Sequence, residues 1–175
     1  TGCSKENTGS ENETPKPYKE VSARDYGAVG DGQTNDTQAI QAAIDDCAKG
    51  SGKVTVPEGK YIVSSLFLKS NVELHLEEKA ELIAVNNYQT YVETFYPDVL
   101  GPYASTSIVY APAMLFAENA TNIKLTGKGT LNGIGDDPAF PHANNRKGRP
   151  RLISFLNCRE VLVENVTLRS SAAWV

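Results

Sequence analysis

From residue 36 to residue 50 the apolar positions Ile40, Ala43, Ile44 and Cys47 recur at i, i+3, i+4 and i+7 among Asp, Gln, Thr and Lys. That spacing predicts one amphipathic helix with a single stripe turned toward a core. Asn35 or Asp36 can accept its free first-turn amides as N-cap, and Gly50 can take the left-handed conformation that ends it. Beyond the helix the period shortens to two. Residues 54–56, 61–63, 66–68, 72–76, 82–85, 114–117, 123–125, 152–155 and 161–168 are short runs of strand formers broken by turn residues. No second helix is predicted.

The runs repeat a theme. Asn71-Val72-Glu73-Leu74-His75-Leu76, Asn122-Ile123-Lys124-Leu125 and Glu160-Val161-Leu162-Val163 each set two β-formers two residues apart, just after a polar turn. A second apolar step follows each, at Glu81-Leu82-Ile83, Gly129-Thr130-Leu131 and Asn165-Val166-Thr167-Leu168. Val72 and Ile123 stand 51 positions apart and Ile123 and Val161 stand 38 apart, near the roughly 20–50 residues of solenoid repeats. Residues 86–112, with five Tyr and one Phe among Asn, Gln, Ser, Thr and Pro, account for the irregular interval. They read as a long loop inserted between coils, of the kind that walls a binding cleft. Each coil of a solenoid buries only one face of its neighbour, so the helix ahead of the first strands is placed to cap one end.

Composition narrows the class. The 175 residues carry 17 Lys+Arg against 21 Asp+Glu, a formal charge of -4, which argues against a nucleic-acid surface. Hydrophobic residues make up 40% of the chain, enough for an ordinary globular core, and the length suits one domain. Three cysteines are too sparse for a disulfide framework. The richest apolar stretch, residues 108–117, is interrupted by Pro112 and is far shorter than the ~20 residues of a membrane-spanning helix.

The two ends differ from the middle. Residues 1–17 hold no hydrophobic residue apart from Cys3 and read as a tether, leaving 18–175 as the folded part. Small residues before a cysteine, as in Thr1-Gly2-Cys3, resemble the end of a bacterial lipoprotein signal, in which the cysteine is acylated and anchors the protein to a membrane. This implies a bacterial cell-envelope protein, in the periplasm or on the outer-membrane surface. The other end, Ala172-Ala173-Trp174-Val175, is apolar directly after a strand pattern, so the chain is expected to be the N-terminal part of a longer solenoid.

The run Asp25-Tyr26-Gly27-Ala28-Val29-Gly30-Asp31-Gly32-Gln33-Thr34-Asn35-Asp36-Thr37-Gln38-Ala39-Ile40, followed by Val54-Thr55-Val56-Pro57-Glu58-Gly59-Lys60-Tyr61, resembles the N-terminal signature of the pectin-lyase-like superfamily. Within it three segments are similar to glycoside hydrolase family 28, the polygalacturonases and rhamnogalacturonan hydrolases. They are Gly127-Lys128-Gly129-Thr130-Leu131-Asn132-Gly133-Ile134-Gly135, Arg149-Pro150-Arg151-Leu152-Ile153-Ser154-Phe155 and Val166-Thr167-Leu168-Arg169-Ser170-Ser171-Ala172-Ala173-Trp174. The likeness runs from about residue 21 to residue 175. It implies an all-β fold, a right-handed parallel β-helix with an N-terminal capping α-helix. It also implies inverting hydrolysis of α-galacturonosyl linkages by aspartates, one protonated to assist the leaving oxygen and another ionised to activate water. The family's catalytic segments follow the tryptophan matched by Trp174, so none of the catalytic residues is expected in this chain. No cofactor and no metal site is implied.

Several residues invite a catalytic reading and are better read otherwise. Asp136-Asp137 precedes the Arg-Pro strand, whereas the family's catalytic pair follows it, so a solvated turn is expected. Asp45-Asp46 falls on the polar face of the helix. The Asp31-Gly32-Gln33-Thr34-Asn35-Asp36 turn lacks the spacing of a calcium loop, and Gly127-Lys128-Gly129 lacks the following helix of a nucleotide fingerprint. His75 alternates onto the outward face with no ligand-spaced partner. Cys47 belongs to the apolar stripe and Cys158 to a turn, so both are expected as free thiols. In contrast, Arg146, Lys147, Arg149 and Arg151 put four cations into six positions before a strand, and guanidinium groups match the carboxylates of polygalacturonate. With Trp174 they are the candidate substrate contacts, against the alternative of a solvated loop. The expected partner is galacturonan or rhamnogalacturonan bound by a monomer, with the membrane reached through Cys3 and no nucleic acid. A polysaccharide lyase or a non-catalytic glycan-binding β-helix are the competing functions.

Overall fold

A parallel strand in a solenoid buries its inward positions and is hydrogen-bonded by the coils above and below, so short alternating runs suffice once neighbours are in register. The computed structural model of the chain describes residues 17–91, 113–138, 140 and 149–173. Along the chain these form β1 (Tyr18–Ser22), β2 (Asp31–Asn35), α1 (Thr37–Cys47), β3 (Ser51–Val56), β4 (Gly59–Val63) and β5 (Leu66–Phe67). There follow β6 (Val72–Leu76), β7 (Ala80–Ala84), β8 (Ala113–Glu118), β9 (Thr121–Gly127), β10 (Thr130–Asn132), β11 (Arg151–Leu156), β12 (Arg159–Val163) and β13 (Thr167–Arg169). The first sheet stacks β1-β3-β6-β9-β12, the second β2-β4-β7-β10-β13 and the third β5-β8-β11. The chain visits the three sheets in rotation and its strands pair in parallel. This is the right-handed parallel β-helix expected.

Register explains the repeat. Gly52 pairs with Val72, so a coil without insertion takes 20 residues. Leu74 faces Leu125 and Ile123 faces Val161 in the first sheet, and Leu82, Leu131 and Leu168 align in the second. The longer intervals of 51 and 38 come from chain inserted between β7 and β8 and again between β10 and β11. Both insertions leave the second sheet and return to the third, so they belong to the same corner of the solenoid.

Other corners are tight. Asn71 (φ 62°), just before β6, and Asn122 (φ 55°) and Glu160 (φ 54°), the second residues of β9 and β12, take the left-handed conformation where successive strands of the first sheet begin. Asparagine tolerates that region because its short amide bonds locally, and glutamate has no such help. The Asn122 amide also donates to Asn71 Oδ1 at 3.1 Å, and one corner over Asn157 donates to Asn119 Oδ1 at 2.5 Å.

Helix α1 follows β2 and precedes β3, the place in the rotation of a third-sheet strand, and packs on β1, β3 and β5. Ile40, Ala43, Ile44 and Cys47 are buried, so the predicted stripe is the one that meets the coils. The ends of the helix correct the sequence reading in part. Asn35 Oδ1 accepts the Thr37 N–H at 3.0 Å, whereas the buried Asp36 carboxylate turns back to accept the N–H groups of Val29 (2.7 Å) and Gly30 (3.1 Å). Gly50 is not left-handed: the helix ends through Ala48 in the right-handed region, and Gly50 is small because a side chain there would press on the Pro17 carbonyl. Asp46 fastens the cap, accepting from Lys19, from Tyr26 Oη at 2.5 Å and from Lys49 Nζ at 2.9 Å. The Lys19 bond above all, then Tyr26 and Lys49, hold its carboxyl far below the usual carboxylate range.

Strands β1 and β2 were not legible, since Asp31-Gly32-Gln33-Thr34-Asn35 has no apolar residue and Tyr18-Lys19-Glu20-Val21-Ser22 only a weak alternation. They form because β3 and β4 offer unpaired edges. The single run expected over 161–168 is two strands, broken where Asn165 turns left-handed (φ 63°). Cys47 and Cys158 are free thiols, and burial pushes the Cys47 thiol up.

Candidate functional site

Of the candidate substrate contacts, the described Arg149 and Arg151 stand at the corner between the second and third sheets. Residues 133–135, which leave β10, lie against residues 169–172, which leave the neighbouring β13. Arg149 and the buried Pro150 lead into β11, and Arg151 opens that strand beside Ala113, half-buried. The Arg149 guanidinium donates from Nη2 to the Gly135 carbonyl at 2.6 Å and from Nε to the Ala172 carbonyl. Arg146, Lys147, Trp174 and Cys3 lie outside the described residues, as does most of the tyrosine-rich insertion.

The insertion begins with a 3-10 turn, Tyr88–Thr90, and the buried Tyr91, whose hydroxyl donates to the Val85 carbonyl at 2.8 Å. Burial pushes the Tyr91 phenol well above its usual range, so it is an anchor rather than a proton donor. On the third sheet Phe67 and Phe116 occupy paired positions and pack edge to face, ring centroids 5.6 Å apart. Asp136 and Asp137 stand in the turn expected, closed by Asp137 N–H to the Ile134 carbonyl at 2.8 Å.

A second arrangement was missed by sequence reasoning. On the outward face of the first sheet Glu20, Lys53, Glu73 and Lys124 stand in one ladder, so charges of alternating sign sit one strand spacing apart. Thr55, His75 and Thr126 form the next ladder. The Thr126 hydroxyl donates to Glu73 Oε1 at 2.7 Å, and His75 Nδ1 lies 2.8 Å from the same hydroxyl oxygen. With its one hydrogen given to Glu73, Thr126 can only accept from His75, which fixes Nδ1–H and leaves Nε2 as the acceptor of the neutral ring. Glu73, His75, Lys124 and Thr126 floor a shallow groove of about 740 Å³ bordered by Glu58, Glu77, Glu78 and Glu164 against Lys128. The 51-residue interval already placed Glu73-Leu74-His75 one coil below Lys124-Leu125-Thr126; that was the available signal. The excess of carboxylates repels a polyuronate, so this face does not suit the expected polymer. Among the described residues no three His, Cys, Asp or Glu side chains are placed to hold a metal ion.

Comparison with known proteins gives a consistent picture. Residues 20–172 match the family model described as "Rhamnogalacturonase A/epimerase, pectate lyase-like". The chain is 29% identical over 157 residues to a probable polygalacturonase of Vitis vinifera, covering 86% of this chain and 32% of the relative. It is 33% identical over 154 residues to plasmin and fibronectin-binding protein A of Streptococcus pneumoniae, covering 86% of this chain and 21% of that protein. Among solved structures, the family 28 exopolygalacturonase of Yersinia enterocolitica is similar with a TM-score of 0.72 and 25% identity, over 89% of this chain and 35% of the other. The chain thus spans between about a fifth and a third of the length of these curated relatives.

Proposed function

The chain belongs to the rhamnogalacturonase A/epimerase, pectate lyase-like family, with the sequence signature of glycoside hydrolase family 28, and from that premise we propose that the complete protein hydrolyses glycosidic bonds of pectic polysaccharide. One observation carries the reading. The three segments that resemble family 28 fall on β9–β10, on β11 and on β13 with the chain that follows it, and they meet at the corner where Arg149 and Arg151 stand. The chemistry is inverting: one carboxylic acid protonates the leaving oxygen while a carboxylate activates water across the scissile bond. Both come from later coils of the complete protein, and the residues described above supply scaffold and contacts. Arg151, Arg146 and Lys147 meet the uronate carboxylates, and Trp174 offers an apolar ring to a sugar face. Acylation of Cys3 holds the protein, a monomer, at a bacterial envelope membrane.

The test is to express the complete reading frame and residues 18–175 side by side and to measure reducing-end release from polygalacturonate and rhamnogalacturonan. The complete protein is expected to hydrolyse one of them, and the segment neither. Unsaturated products would convert the reading to a lyase. Binding of fibronectin without hydrolysis of either polymer would favour the non-catalytic reading that the pneumococcal relative suggests.

A further inference from the structure

Three stretches of chain converge at the insertion corner more tightly than a surface loop requires. The Gly133 N–H donates to the Arg169 carbonyl at 2.9 Å and the Gly135 N–H to the Ser170 carbonyl at 2.7 Å. A Cβ at Gly133 would come within 2.6 Å of the Ser170 oxygen and one at Gly135 within 2.8 Å of the Ser171 carbonyl carbon, so the two backbones touch. Arg149 closes the arrangement from a third direction, giving Nη2 to Gly135 and Nε to Ala172, both of which are buried. A guanidinium presents its donors in a rigid planar fork and so can span two carbonyls of separate segments, whereas an ammonium would hold one of them at a time.

We propose that Arg149 is a positioning residue, not a uronate ligand: it locks residues 169–173 onto residues 133–135 and thereby fixes the path of the chain from the second sheet toward the third. This reassigns one of the four cations and rests on the pectic reading above for what the corner serves. The assignment follows from hydrogen-bond accounting. The carbonyls of two buried residues accept from this side chain, and among the described residues neither has another donor, so turning it toward a ligand would forfeit both bonds. Arg151, two residues on, stays with Arg146 and Lys147 among the cations proposed to meet substrate.

Trp174 is the only tryptophan of the chain and follows the clamped Ala172-Ala173 directly, so its fluorescence reports on the clamp. In the 175-residue chain, Arg149→Gln is expected to raise the acrylamide quenching constant of Trp174 about twofold and to cut exchange protection of the Gly135 amide about tenfold. Arg149→Lys should fall between it and the wild type in both. Arg151→Gln should leave both unchanged while weakening the binding of galacturonate oligomers about tenfold. Wild-type quenching and exchange in Arg149→Gln, or in Arg149→Lys if the glutamine variant does not fold, would overturn the proposal. So would a loss of oligomer binding in Arg149→Lys with the Gly135 amide still protected. If the wild-type chain binds no oligomer, the pectic reading loses support while quenching and exchange still decide the role of Arg149.

Discussion

Two neighbouring coils, β9–β10 and β12–β13, carry a like sequence pattern and differ in burial among the described residues. Ile123 and Leu125 on β9 are 0% and 1% exposed, whereas Val161 and Val163, their register partners on β12, are 41% and 43% exposed. In the second sheet Leu131 is 0% exposed and its partner Leu168 is 38% exposed. On the other side of the described coils α1 lies over them, and Val54 and Val56 are buried as fully as Ile123 and Leu125. Each coil covers one side of the next, so an inward position is buried only when something lies on both sides of it. Among the described residues nothing lies over β12 and β13. Alternation therefore reports which way a side chain points, and the neighbouring layer decides whether it leaves water.

The largest effect that follows is a contrast between register partners. Leu125→Lys puts a charge into a closed layer and is expected to cost more than about 4 kcal/mol, enough to prevent folding. Val163→Lys, at the paired position, should change stability by less than about 1 kcal/mol, because the ammonium reaches water directly. Urea denaturation of the two variants in the 175-residue chain measures both, and equal losses would break the comparison.

A pH experiment sharpens the capped end. The Asp46 carboxyl is held below its unfolded value, so its contribution is fully present above about pH 4 and is lost as pH falls through the lower folded value. The urea midpoint of the wild type should therefore drop on acidification below about pH 4 more steeply than that of Asp46→Asn. Parallel curves would mean that the contacts to Lys19, Tyr26 and Lys49 do not hold the helix to β1.

The smallest effect tests the last described coil at its corner. Glu160 stands where Asn122 and Asn71 stand one and two coils earlier, in the same left-handed conformation. Glu160→Asn is expected to raise stability by ~0.5–1 kcal/mol, and thermal unfolding would show it as a higher midpoint. A neutral or lower midpoint would mean that the exposed coil does not hold its corner conformation in solution.

Legibility of the candidate site was uneven for a physical reason. Arg149 and Arg151 were both visible as cations before a strand, but only the fold shows that one faces two buried carbonyls and the other opens β11. His75 looked isolated because its partner Thr126 is 51 residues away, brought beside it by one turn of the solenoid. Asp136-Asp137 stands in a turn ahead of β11, a placement already given by its order before the Arg-Pro segment.

The sequence by itself determined the single amphipathic helix, the inward parity of most strands, the repeat anchors at Val72, Ile123 and Val161, and the family. Each is set by residues close together in the chain or by their order. Tertiary structure alone decided that the polar β1 and β2 pair as strands, that Gly50 is small for Pro17 rather than for a left-handed turn, and that both insertions share a corner. Among the described residues it also decided which of two like apolar patterns is buried. Those outcomes depend on what the adjacent coil presents across one strand spacing, and stacked coils bring together residues 20 to 51 positions apart, well beyond the range of local propensity.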